Sequence, residues 1–157
     1  MSLLSKTALL ATAATLAAGA ALAGSHSAEN PAVKARKAHM QLYSHNIGIL
    51  AGMARGNTEY NADAAVAAAS NLADLSHINE ASYWVEGTDS ESIEGTRALP
   101  ALFANMGDVQ AKIDQLNAAS VALSETAGNG LEAVQAGLGP IGQVCGACHD
   151  AYRVPNN

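Results

Sequence analysis

The stretch Met106–Ala127, MGDVQAKIDQLNAASVALSETA, decides the fold. Within it Met106, Val109, Ile113, Leu116, Ser120, Leu123 and Ala127 recur in steps of three and four. At 3.6 residues per turn those positions share one face, which is the seam of a helix packed in a bundle. Gly128-Asn129-Gly130 stops it. A second helical pattern then runs from about Leu131 to Tyr152, with Val134, Leu138, Ile141, Cys145, Cys148 and Tyr152 on one stripe.

Towards the N-terminus the same period returns twice. One helix is predicted over roughly Pro31–Arg55, with Pro31 in the first turn and Val33, Met40, Ile47 and Leu50 on the inward stripe. Gly56-Asn57 ends it. Another is predicted from about Asn61 to Asn79, with Ala64, Ala68, Leu72, Leu75 and Ile78 facing inward. Between it and Met106 the segment Glu86-Gly87-Thr88-Asp89-Ser90, continuing to Gly95, is polar and fits neither period. No strand pattern competes. The short connections after the first and third helices make neighbours antiparallel, so the expectation is an all-α, up-down-up-down four-helix bundle. One feature disturbs the last helix: Gly137, Gly139, Pro140 and Gly142 lie inside it. They predict a kink, a break at Pro140, or a backbone thinned to approach a flat cofactor.

Ahead of the helices, Lys6 precedes an apolar Ala- and Leu-rich run, Ala8 to Ala23, and Ala21-Leu22-Ala23 has the small-x-small form of a cleavage site. Residues 1–23 read as a secretory signal peptide, with a second candidate cut after Ala28. The run is shorter than the ~20 strongly apolar residues of a membrane span. Cleavage after Ala23 leaves residues 24–157 as one domain and removes a single charge, Lys6. The remaining 14 acids and 7 bases exclude a nucleic-acid binder, which needs clustered Lys and Arg. An acidic surface suits a basic partner. Aromatics are only 4% of the chain while alanine abounds, so each buried side chain contributes little and a large apolar prosthetic group would strengthen the core.

Cys145-Gly146-Ala147-Cys148-His149 supplies such a group's anchor. C-x-x-C-H is the pattern of covalent haem c attachment. Two thiols three residues apart sit on one side of a helical turn and can both reach the vinyl groups of one haem. His149 then meets the iron as an axial ligand. Zinc would need four protein ligands, and His26, His39, His45 and His77 lack finger-like spacing. A thioredoxin-type pair would need a βαβ setting. One site means one haem. For the sixth position the first helix offers Met40, a thioether that either bonds the iron or covers it. His39, about 100° away around the helix, is expected at the surface, and His45 and His77 are expected to be solvated or core residues rather than ligands.

With these residues in view, the chain resembles the cytochrome c-prime family. The resemblance rests on Val33-Lys34-Ala35-Arg36, Met40, Gly48, Leu50, Met53 and Gly56, on Gly87-Thr88, on Arg97 to Phe103, and on Cys145 to His149 with Asp150, Tyr152 and Arg153. It implies thioethers from Cys145 and Cys148, iron ligation by His149, and Arg36 beside the haem propionates. It further implies Met40 on the distal side, Arg153 beside His149, and Thr88 at the haem edge. Lys37 stands where the family often has Gln, which leaves its haem contact open, and the Gly137–Gly142 cluster is unusual for the family's last helix. The implied function is a periplasmic, non-enzymatic haem protein. It would bind diatomic gases such as nitric oxide or carbon monoxide at a five-coordinate iron, exchange electrons with a redox protein, or do both. The alternative is a low-spin electron carrier with Met40 and His149 both on iron. Peroxide chemistry is not expected, because no distal acid–base pair is evident. The family also implies a homodimer through the first two helices, where the small residues Ala51, Ala64, Ala67 and Ala68 would suit a monomer equally.

Overall fold

A computed structural model describes residues 29–155. The signal peptide expected over residues 1–23, both candidate cleavage points and His26 lie outside the described residues. Among the described residues the chain forms α1 (Pro31–Ala54), α2 (Ala62–Ser76), α3 (Pro100–Ala104), α4 (Met106–Thr126) and α5 (Leu131–Tyr152). The four long helices make the antiparallel bundle, in the ring order α1, α2, α4, α5.

Local signals set the helix ends. The Asn30 side chain accepts from the backbone of Ala32 and Val33, and Pro31 occupies the first turn. Asn61 does the same for α2, accepting from Ala64. Gly56, at φ 73°, carries the chain out of α1. At the other corner a single 3₁₀ turn, Ala127–Asn129, leads to Gly130 at φ 120°, from which α5 starts. Tyr60 straps this corner: its hydroxyl donates to the Ala127 carbonyl and accepts from the Gly130 amide.

The core runs along the bundle through Leu50, Leu72, Leu123, Val134 and Ile141, filled in by Ala65, Ala68 and Ala69. A smaller cluster of Ala98, Leu102, Val109 and Tyr152 lies under the α2–α4 connection. That connection is longer than the sequence pattern indicates, and it contains α3, a helix the period does not reveal because five residues are too few to show one. Its end is sewn to the C-terminus by an antiparallel bridge between Ala98 and Arg153. Ile78 lies past the end of α2 and is 42% exposed, and Met106, in the first turn of α4, is 37% exposed. Ala51 and Ala68 face the protein's own packing, so of the four alanines expected at a dimer face only Ala67 is fully outside.

The largest correction is the rotation of α1. Its buried line is Val33, Arg36, His39, Tyr43, Asn46, Leu50 and Met53. His39, expected outside, is 4% exposed, and Met40, expected inside, is 38% exposed. Three members of this line are polar, so a search for apolar period selects the wrong shoulder of the helix. Asn46 is tolerated because it is partnered, donating to the Leu42 carbonyl and accepting from Asn71.

α5 is unbroken through Pro140. Pro140 and Ala136, whose carbonyl it leaves without a donor, are both exposed, so water takes the lost bond. Gly137 has a different purpose. A Cβ there would lie 2.5 Å from Leu123 Cδ1 and 3.2 Å from its Cβ, so this glycine lets α5 close onto α4. Gly137→Ala should therefore destabilise the fold by about 1 kcal/mol, overpacking outweighing the helix-propensity gain. Gly48→Ala, where nothing lies within 4 Å, should stabilise it by about 0.5–1 kcal/mol. Urea midpoints of the two variants check the opposite signs.

Candidate haem site

Between α1 and α5 lies a cleft of about 370 Å³, walled by Ile47, Ala51 and Ala54 on one side and by Leu138, Ile141, Gly142 and Cys145 on the other. It is apolar. Leu138, Gly142 and Cys145 share a stripe of α5, and His149 continues it one turn on. Met40 continues the stripe of Ile47 two turns back. Because the helices are antiparallel, both extensions run towards the same end of the cleft.

Both cysteines are half-buried free thiols. Cys145 packs on the main core with Tyr43. Cys148, three residues on, packs on the smaller cluster beside Trp84, Phe103 and Ile113. Burial pushes both thiols above their ordinary pKa, so neither is the reactive thiolate of a redox or nucleophilic cysteine. His149 is pushed down, first by burial and then by the charges of Arg153 and Arg97. It is thus a neutral imidazole, the form that ligates a metal. Arg153 caps α5 and Arg97 donates to the Val154 carbonyl.

Arg36 lies deep and turned to the α2–α4 connection. Its guanidinium donates to the Tyr83 carbonyl at 3.2 Å, to Thr88 Oγ1 at 2.7 Å, to the Thr88 carbonyl and to Thr96 Oγ1, and it lies 5.5 Å from the centroid of Trp84. Burial lowers its pKa, partly offset by Asp89. Four of its five N–H groups hold the protein's own chain, so only Nε–H is left for a propionate. Thr88 is 3% exposed and is one of the groups Arg36 clamps. Lys37 is exposed and paired with Glu29 at 2.6 Å. The structure thus joins Arg36 to Thr88 and aligns His149 with Cys145, while Lys37 stands apart.

Two expectations about the interior change. His39, expected at the surface, is buried with its ring packed on Tyr43. An acid–base pair is also present: His39 Nε2 is 3.4 Å from Glu80 Oε1, both side chains being buried. The signal that could have found His39 is the spacing Arg36, His39, Tyr43, Asn46, Leu50, which is helical once polar residues are counted. Glu80 comes from an irregular segment and had none.

Two thiols on one half-buried face, a neutral imidazole adjoining them and an apolar cleft alongside fit a covalently held haem. The family model described as cytochrome C′ matches residues 31–153. The chain belongs to the cytochrome c′ family. It is 36% identical to cytochrome c′ of Cereibacter sphaeroides over 122 residues, 78% of this chain and 82% of that protein. Among solved structures it is similar to a cytochrome c′ from Rhodobacter spheriodes, with a TM-score of 0.77 and 35% identity over 80% of this chain and 96% of the other. It is likewise similar to a carbon-monoxide-bound variant of the Alcaligenes xylosoxidans protein, with a TM-score of 0.67 and 28% identity over 79% and 94%. Cytochrome c′ proteins bind one covalent haem c, and this chain, with its two cysteines, is such a haem-binding protein. No helix among the described residues is long and apolar enough to cross a membrane.

Proposed function

We propose that this chain is an exported, periplasmic cytochrome with a five-coordinate haem that binds small neutral gases and passes electrons, without being an enzyme. Cys145 and Cys148 hold the haem through thioethers, and His149 ligates the iron from α5. Haem iron supplies reversible one-electron change and a coordination position for a diatomic gas. The rest is the chain's work. The α1–α5 cleft excludes water with aliphatic side chains, burial and then the charges of Arg153 and Arg97 favour neutral His149, and Arg36 fixes the connection that covers Cys148.

The observation that carries five-coordination is Met40. It lies two turns before Ile47, a wall residue of the cleft, and it is 38% exposed and off the buried line of α1. Packing therefore does not hold its flexible thioether in a bonding pose, and a cover is the better reading. Carbon monoxide bound to the Alcaligenes xylosoxidans relative supports gas binding in the same fold. The alternative, a low-spin carrier with Met40 and His149 both on iron, draws on the same alignment of the two residues along one cleft. The apolar run Ala8 to Ala23 supports export.

An absorption spectrum of the pure holoprotein separates the two. Five-coordination predicts a high-spin ferric form and a ferrous form that takes up carbon monoxide. Met40→Ala should speed carbon monoxide association by roughly tenfold, as for removal of about 1.4 kcal/mol of barrier, with the ferric spin state unchanged. A far-red sulfur-to-iron charge-transfer band in the wild type, lost in Met40→Ala, would decide for the electron carrier.

A further inference from the structure

The connection between α2 and α4 passes beside the second cysteine and leaves aromatic surface there. Trp84 and Phe103, both half-buried, pack with Cys148 on the cluster of Ala98, Leu102, Val109 and Tyr152. Trp84 is fixed from two sides: its Nε1 donates to Glu80 at 2.9 Å, and the Arg36 guanidinium lies 5.5 Å from its ring centroid. Val85, next in the chain, is 47% exposed. A haem tied to Cys148 has the carbon bonded to that sulfur on its own periphery, whichever way the ring turns. The aromatic patch and the cofactor's edge therefore share one cluster. A rigid tryptophan with one side open to solvent is also the residue type that anchors protein contacts.

The charge of the connection is one-sided. From His77 to Thr96 it carries Glu80, Glu86, Asp89, Glu91 and Glu94 and no Lys or Arg. Glu80 and Asp89 are buried, whereas Glu86, Glu91 and Glu94 are exposed. Arg36 bonds Tyr83, Thr88 and Thr96 with one guanidinium, so the stretch bearing those three acids is gathered beside Trp84. Neighbouring bases do not offset them. Arg36 is 4% exposed, Lys37 is paired with Glu29 and Lys112 with Asp108, and Arg97 turns to the Val154 carbonyl. We propose that the Trp84–Phe103 patch, with Glu86, Glu91 and Glu94 beside it, is the docking surface through which the haem gives electrons to a basic redox protein. This rests on the electron-passing reading above and deepens it by naming the exit and the charge of the partner. One electron leaves the ferrous iron by the Cys148 edge and reduces the partner's ferric iron, with no bond made or broken. Opposite charge speeds the encounter, and the aromatic contact holds it.

The test is stopped-flow oxidation of the ferrous holoprotein by ferric mitochondrial cytochrome c, a basic haem protein, at about 0.05 M and 0.5 M salt. Hexacyanoferrate(III) serves beside it as a small anionic oxidant. The wild-type rate with the basic protein should fall steeply as salt rises. Glu86→Gln, Glu91→Gln and Glu94→Gln combined should lower it about tenfold at low salt and flatten that fall. Glu59→Gln, Glu125→Gln and Glu132→Gln make an equal charge change at the opposite end of the bundle. They should alter the rate by less than about twofold, because exposed charges beyond a Debye length are screened. Val85→Lys, at an exposed site, should lower it about fivefold by setting like charge against the partner. Hexacyanoferrate(III) should oxidise the loop variants at least as fast as wild type. Equal losses in the two triple variants, or a wild-type rate in the loop triple, would overturn the docking surface and leave electron passing intact. A holoprotein that neither reagent oxidises would overturn both.

Discussion

A chain carrying Cys145→Ala and Cys148→Ala should lose its covalent haem and melt on the order of 15 °C or more below the holoprotein, or fail to fold. The reason is the poverty of the core. Its largest fully buried side chains are Leu50, Leu72, Leu123, Ile141 and three valines, and much of the remaining interior is alanine. Each alanine contributes far less burial than a leucine would. A group bound only by the folded state shifts the equilibrium towards it, and a covalent tether keeps that group present at every protein concentration. Acid-acetone extraction should leave the wild-type haem on the chain and release it from the double variant, with circular dichroism following the melt. A variant as stable as the holoprotein would show that the bundle sustains itself.

Replacing Arg36 with Leu should cost about 3–5 kcal/mol, because it strips four donors at once from groups that are mostly buried. Thr88 Oγ1 would keep only its own bond to the Val85 carbonyl, and the Thr88 carbonyl would lose the guanidinium. Arg36→Lys should recover only part of the loss, since one ammonium cannot span Tyr83, Thr88 and Thr96. Denaturant midpoints measure the cost. Hydrogen exchange should localise it to the connection between α2 and α4, which opens before the bundle when its anchor is gone. A large change in reduction potential with unchanged stability would instead return Arg36 to the propionate role that family resemblance implies.

Much of this protein was legible in its sequence. Gly128-Asn129-Gly130 and the stripe from Val134 to Tyr152 place α5 at Leu131–Tyr152, because turn chemistry and a long apolar period are both local. The C-x-x-C-H run likewise states its chemistry without reference to the rest of the chain. What the sequence hid depends on partners remote in the chain. α1 turns Arg36 and Asn46 inward because they find partners in Thr88 and Asn71, and it brings His39 beside Glu80; no periodicity of α1 alone records those. Gly137 looks like a flaw in α5 until Leu123 of α4 is set against it. Tertiary structure decided these points because the cost of burying a polar group, or of adding a methyl, is set by whatever lies across the gap.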